Sequence, residues 1–344
     1  MTTKINLALQ GGGVHGAFTW GVLDRLLEES EIEIAAITGT SAGAMNAAAF
    51  KSGYLKDGNA GARETLDWFW EQIGAVNDPW FSDWLSAMAP TIPSLASAIE
   101  ASPAYMAFDM ANRMTSPYVF GSMLRNPLER VVRQLQFDKV CDRHGPELYI
   151  GATNVRTGKV RVFTGEEIST DVLLASACLP TLFQAVEIDD PKTGRTEAYW
   201  DGGYTGNPAL FPLYQPHLPR DIMIVNINPL VRDEVPTDSQ SIQNRINEIS
   251  FNASLLGEIR SIAFVKRLLA EGVLKSGTKK DVHLHMVSDD ALMNDLNVAT
   301  KTIPVPVILT RLKDAGRDAM DGFLSRHAAD LGERSTVDLT ALFA

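Results

Sequence analysis

The chain has 344 residues, of which 45% are hydrophobic and 21% charged, and it carries a net charge of −11. That composition belongs to a folded protein of one large domain or two ordinary ones and excludes disorder. The negative balance argues against a phosphate-neutralising nucleic-acid face and against adhesion to anionic lipid by charge, so any peripheral membrane contact would have to be apolar.

Only two cysteines occur, Cys141 and Cys178, with no CxxC pair and no Cys/His cluster at metal-ligand spacing. This argues against structural zinc and fits a reducing compartment. The first residues, MTTKINLALQGGG, lack the apolar core and cleavage site of a signal peptide. The uncharged stretch Trp84 to Ile99 is interrupted by Pro90 and Pro93 and is shorter than a bilayer span of about 20 residues. A cytoplasmic protein is expected, with no transmembrane segment.

In chain order, KINLAL (residues 4 to 9) reads as a short buried strand, and residues 16 to 29 have helical spacing through Phe18, Val22, Leu23, Leu26 and Leu27. IEIAAIT is a second strand and AMNAAAF a helix of small residues, so strand, helix, strand and helix imply a parallel pair and an α/β fold. From about residue 64 to 136 the pattern is helical and irregular, with Trp68, Phe69, Trp70, Trp80, Phe81 and Trp84, and suggests an insertion or cap. Such a cap could be a lid over an acyl-chain pocket, although aromatic residues more often fill cores. ELYIGATNV and KVRVFTG predict a hairpin turning at Thr157-Gly158, which would make the sheet mixed. VLLASACL reads as a helix, and LFQAVEID, EAYW, IMIVNI and VHLHMV as strands, with helices over 239 to 275 and 306 to 329. With no repeat or linker, the chain is expected to form one elaborated domain, a core of about 5 to 230 with a C-terminal helical extension from 231 to 344.

Three motifs carry chemistry. Gly39-Thr40-Ser41-Ala42-Gly43 fits G-x-S-x-G between a buried strand and a helix, where a serine hydroxyl stands exposed on a sharp turn. On its own, such a stretch could be a glycine-rich turn with a serine N-cap. Gln10-Gly11-Gly12-Gly13-Val14-His15-Gly16 follows the first strand, and its amides could hold an oxyanion. Gly11, Gly13 and Gly16 also satisfy G-x-G-x-x-G, but a dinucleotide site expects an acid at the end of the second strand, and that strand ends in Ile37-Thr38. Trp200-Asp201-Gly202-Gly203 places a carboxylate at a strand end, where burial could raise its basicity; alone it would be an Asp-Gly turn. A catalytic histidine later in the chain, from among His217, His283, His285 and His327, has no supporting signature.

Taken in order, GGGVHG, GTSAG and DGG resemble the patatin-like phospholipase family, and Ala175-Ser176-Ala177-Cys178-Leu179-Pro180-Thr181-Leu182-Phe183 resembles its A-S-x-x-x-P-x-x-F element. The resemblance implies a three-layer fold with a central mostly parallel sheet and a Ser-Asp dyad without histidine. Ser41 would be the nucleophile, Asp201 the base, and Gly11, Gly12 and Gly13 the oxyanion donors. It implies a lipid acyl ester as substrate, such as a phospholipid or lysophospholipid, and no cofactor or metal. Acyl transfer by the same dyad, or a non-catalytic binding or effector role, is compatible with the same residues. The family usually has arginine or lysine where this chain has His15, which is largely neutral above about pH 6.5, so weaker or more acid-favouring activity is expected. His15 could equally be a helix-turn residue without chemistry. The sequence leaves oligomeric state, chain length and head group open.

Overall fold

A computed structural model of the protein describes residues 2–74, 91–103, 105–107, 110, 115–119, 126–275 and 277–343. Trp80, Phe81 and Trp84 lie outside the described residues.

Eight strands form one sheet: β1 Thr3–Leu9, β2 Ile32–Thr40, β3 Glu147–Asn154, β4 Val160–Thr164, β5 Val186–Asp190, β6 Arg195–Asp201, β7 Asp221–Val225 and β8 His283–Val287. The helices are α1 Gly16–Leu26, α2 Ala42–Gly74, α3 Ile92–Glu100, α4 Leu128–Val132, α5 Phe137–Val140, α6 Thr170–Ser176, α7 Ser239–Ala270, α8 Asp290–Asn294, α9 Val298–Thr302 and α10 Pro306–His327. Strands β3, β2, β1, β7 and β8 run parallel in that order, whereas β4, β5 and β6 join through antiparallel pairings at the β3 side. The expected hairpin is β3–β4, with Gly158 in the left-handed conformation its turn needs.

Alternate residues of each parallel strand feed two cores, which makes the molecule three layers deep. Leu7, Leu9, Ile37, Met223 and Val225 pack with α1, α2 and α10, while Ala8, Ala36, Ile222, Ile224 and Leu284 pack with Leu255, Ile259 and Ile262 of α7. Strands covered on both faces are mostly apolar, and β1 from Ile5 onward and all of β7 are buried.

Helix α2 is longer than its small-residue start suggests. It continues to Gly74 with a break at Asp57-Gly58, so residues 64 to 74 belong to the core rather than to a separate cap. Phe69 and Trp70 are buried, and the Trp70 indole donates to Asn46 Oδ1 at 2.9 Å. Asn46 in turn donates to the carbonyls of Gly16 and Ala42, fixing α2 against α1.

Helices α1 and α10 meet through glycines. A Cβ at Gly21 would run into the Lys313 carbonyl, and one at Gly316 into that of Phe18. Gly21→Ala would push two packed backbones apart, and overpacking of this kind costs about 2–3 kcal/mol. Its denaturation midpoint should fall accordingly; an unchanged midpoint would mean that the α1–α10 packing is looser than described.

Candidate active site

The site lies past the carboxyl ends of β1, β2 and β7, where parallel strands release their chains into loops. What brings its two ends of sequence together is β3. Residues 149 to 151 of β3 pair with β4 and with β2, which therefore flank it on opposite edges. Ala152 and Thr153 pair with β4 and with β6, so β6 shares an edge of β3 with β2. The two strands approach head-on along that edge. Thr40 stands opposite Gly151 and Asp201 opposite Ala152, consecutive positions on β3 and thus about 3.3 Å apart along the strand.

Ser41 follows Thr40 with a φ of 55°, a left-handed conformation that a non-glycine residue adopts only where the surroundings hold it. They do so closely. The Ser41 amide donates to Ser176 Oγ at 2.9 Å, and that hydroxyl donates to the Gly151 carbonyl at 2.6 Å. A side chain at Gly43 would meet the Leu9 carbonyl, and one at Gly39 would come within 2.6 Å of the Gly43 carbonyl, so both motif glycines are steric requirements of the turn. The serine reads as an elbow and not as an N-cap.

Asp201 is almost fully buried, its carboxylate accepts the Gly203 amide at 2.7 Å, and the Ser41 hydroxyl is close enough to stabilise its charge. Its own amide donates to the Cys178 carbonyl at 2.8 Å, so the segment after α6 positions it. Burial pushes the carboxyl up to about 7, with the Gly203 amide and the Ser41 hydroxyl opposing the rise. An aspartate so tuned takes and returns a proton near neutrality. The Cys178 thiol beside it is pushed up to about 12 by burial and is no nucleophile at neutral pH.

The glycine loop packs directly on the elbow, with a Cβ at Gly11 coming within 2.6 Å of Ser41 Cβ. Gly11 itself is committed to structure. Its amide donates to Asn207 Oδ1 at 2.6 Å, and its carbonyl accepts from the Asn207 and Asn228 side chains. Gln10 secures the base of the loop by accepting the Ile227 and Asn228 amides and donating to Asn252. The expected donor set Gly11, Gly12 and Gly13 is narrowed by this. Gly12 and Gly13 are the two whose amides have no protein acceptor among the described residues. Gly13 has a φ of 60°, and a side chain there would strike the Lys301 carbonyl.

Positions 15, 176 and 207 could be judged only in three dimensions. His15 is buried, with Nε2 2.9 Å from Thr300 Oγ1, whose own proton goes to the Asn297 carbonyl. Nε2 is therefore the protonated nitrogen, and Nδ1 is without a partner among the described residues. Burial first, then Lys301 and Arg232, hold its pKa well below the usual value. The histidine stays neutral, which removes the expectation of acid-favouring behaviour. Ser176 sits within the A-S-x-x-x-P-x-x-F element but is silent about its partner, and Asn207 has no sequence signature at all.

The remaining histidines lie elsewhere. His283 and His285 flank Asp221 at the amino ends of β7 and β8, opposite the site, and His285 Nε2 lies 2.9 Å from its carboxylate. His217 pairs with Glu147 at the start of β3, and His327 with Asp330 beyond α10. His144 is exposed beside Asp142. No His/Cys/Asp/Glu group suited to a metal occurs among the described residues.

A sequence model of the patatin-like phospholipase family matches residues 7–214, which span the loop, the elbow, the Asp201 turn and the strands that carry them. The chain belongs to the patatin-like phospholipase family. Members of this family are lipid acyl hydrolases, and the mixed α/β sandwich with its mostly parallel sheet is the family's fold. A search among curated proteins finds no match. Among solved structures, this patatin-like chain is similar to VipD from Legionella pneumophila, at 15% identity, over 94% of this chain and 67% of that one, with a TM-score of 0.40, a loose likeness. No helix among the described residues is long and apolar enough to cross a membrane.

Proposed function

We propose that this patatin-like protein is a serine acyl hydrolase acting on lipid carboxylic esters such as phospholipids or lysophospholipids, with Ser41 as nucleophile and Asp201 as base. The observation that carries this is the left-handed Ser41 on its elbow beside a buried carboxyl that its hydroxyl helps to keep charged and that burial raises to about 7. Ser41 Oγ attacks the ester carbonyl while Asp201 takes its proton, and the oxyanion that forms accepts the Gly12 and Gly13 amides. The intermediate collapses as Asp201 returns the proton to the departing alcohol. Asp201 then deprotonates a water that attacks the acyl-serine, and as that intermediate collapses Asp201 returns the proton to Ser41 Oγ and the fatty acid leaves.

The outer face of α7 supports a lipid as substrate. Ile242, Ile246 and Ile249 are exposed there, and from residue 239 to 257 the only charges are Arg245 and Glu248, which pair with each other at 3.3 Å. A neutral lipid surface suits such a flank on a protein of net charge −11.

Labelling with a fluorophosphonate probe tests the reading. The wild type should react at Ser41 and Ser41→Ala should not; a wild type that fails to label, or a variant that labels equally, would refute it. Product analysis with alcohol acceptors separates hydrolysis from acyl transfer by the same dyad.

A further inference from the structure

The glycine loop faces an ionic cluster that no motif announces. Glu248 of α7 is buried and binds Arg232 through two contacts of 2.8 Å, Arg245 at 3.3 Å and Lys301 at 3.5 Å, with the Asn244 amide at 3.0 Å. Three cations thus surround one carboxylate, an excess of two positive charges. The arginines are well engaged. Arg232 also donates to the Asn294 carbonyl, and Arg245 to those of Pro229 and Leu230. Lys301 differs: its ammonium has three protons to donate, and its polar contacts among the described residues are two long ones, 3.4 Å to Asn244 and 3.5 Å to Glu248.

Lys301 is also the cation tied to the loop. Its carbonyl packs on Gly13, and its neighbour Thr300 holds the His15 ring. The charge is felt there, since Lys301 and Arg232 both depress His15. His15 is neutral, so the first turn after the glycines has no charge of its own. We propose that the Lys301 ammonium supplies the positive charge at the glycine loop that position 15 lacks, and favours the anion forming against the Gly12 and Gly13 amides. It acts through its field, as a positioning charge held by Glu248 and Asn244. In a largely water-excluded site such a charge is weakly screened. The inference rests on the hydrolase reading of Ser41.

The groups facing Lys301 are His15 from the loop, Arg232 from the segment after β7, and Asn244, Arg245 and Glu248 from α7. Glu100 of α3 binds Asn297 just before α9. Burial lowers the lysine's own pKa, whereas Tyr204 and Cys178 near Asp201 are pushed up to about 12. Loss of activity at alkaline pH would therefore report Lys301.

The experiment compares Lys301→Met, Lys301→Arg and wild type on a neutral short-chain p-nitrophenyl ester across pH, beside fluorophosphonate labelling and thermal melting of each. Lys301→Met should lose roughly 10- to 100-fold in kcat with little change in KM. Lys301→Arg should keep at least about a third of wild-type kcat and move the alkaline limb upward, because guanidinium does not titrate there. A Lys301→Met kcat within twofold of wild type, a loss confined to KM, or an equal loss in Lys301→Arg overturns the proposal. Should Lys301→Met melt out, the alkaline limb of Lys301→Arg decides: an unmoved limb overturns it. A wild type that does not label at Ser41 would instead remove the hydrolase reading.

Discussion

Asp201→Asn is expected to lose at least about a hundredfold in turnover and to melt at a higher temperature than wild type at alkaline pH. The first effect follows from removing the group proposed to take the Ser41 proton, since asparagine keeps the shape and the Gly203 contact but accepts no proton. The second follows from burial. A carboxyl whose folded value is raised from near 4 to about 7 binds its proton more tightly in the folded chain than in the unfolded one. Its burial therefore costs stability as pH rises from about 4 to about 7, by up to about 4 kcal/mol, and the full cost persists above. Asparagine never pays it. The variant should gain about a third of that amount at pH 5 and nearly all of it at pH 8, while wild-type kcat/KM falls as pH drops below about 7. A melting difference that is flat with pH, or retained turnover, would show that Asp201 is neither strained by burial nor the base.

Glu248→Gln should destabilise the fold by about 2–4 kcal/mol. Breaking a buried pair by deleting one partner costs more than the pair contributes, because the surviving charges stay desolvated. Here three cations would lose their common anion, and their being about a fifth exposed (20%, 22% and 17%) keeps the loss below that of a fully dry site. The cations hold the Glu248 carboxyl below its ordinary value, although burial opposes them. That stabilisation is present above the unfolded value near 4.3 and is lost as pH falls through the folded one. Denaturation at pH 7 should separate variant from wild type, and the gap should narrow toward pH 3. Equal midpoints at pH 7 would mean that the cluster adds nothing to stability.

Much of the fold was legible because the signals are local. Buried parallel strands are rich in apolar residues, so β1, β2 and β7 stand out, and the β3–β4 hairpin is announced by Thr157-Gly158. The elbow was legible through its motif, and Gly39 is demanded locally by the Gly43 backbone, whereas Gly43 is demanded by the end of β1 at Leu9. The dinucleotide alternative fell to a local fact too: β2 ends in Thr40 and Ser41, with no acid to hold a ribose.

Other features depend on partners far away in the chain. Trp68, Phe69 and Trp70 suggested a cap because their pattern is helical and aromatic, and only the course of α2 from the elbow past its break at Asp57-Gly58 puts Phe69 and Trp70 in the core. That Gly11 is consumed by Asn207, 196 residues on, and that His15 is kept neutral by burial and by Lys301, could be settled only by folding. The sequence by itself determined most of the strands and the elbow, because sterics and hydrophobic period act within a few residues, and its motifs put Ser41 and Asp201 forward as candidates. The tertiary structure alone decided that β2 and β6 end against consecutive residues of β3 and that distant cations gather beside the glycine loop, because register and electrostatic fields depend on where the chain returns in space.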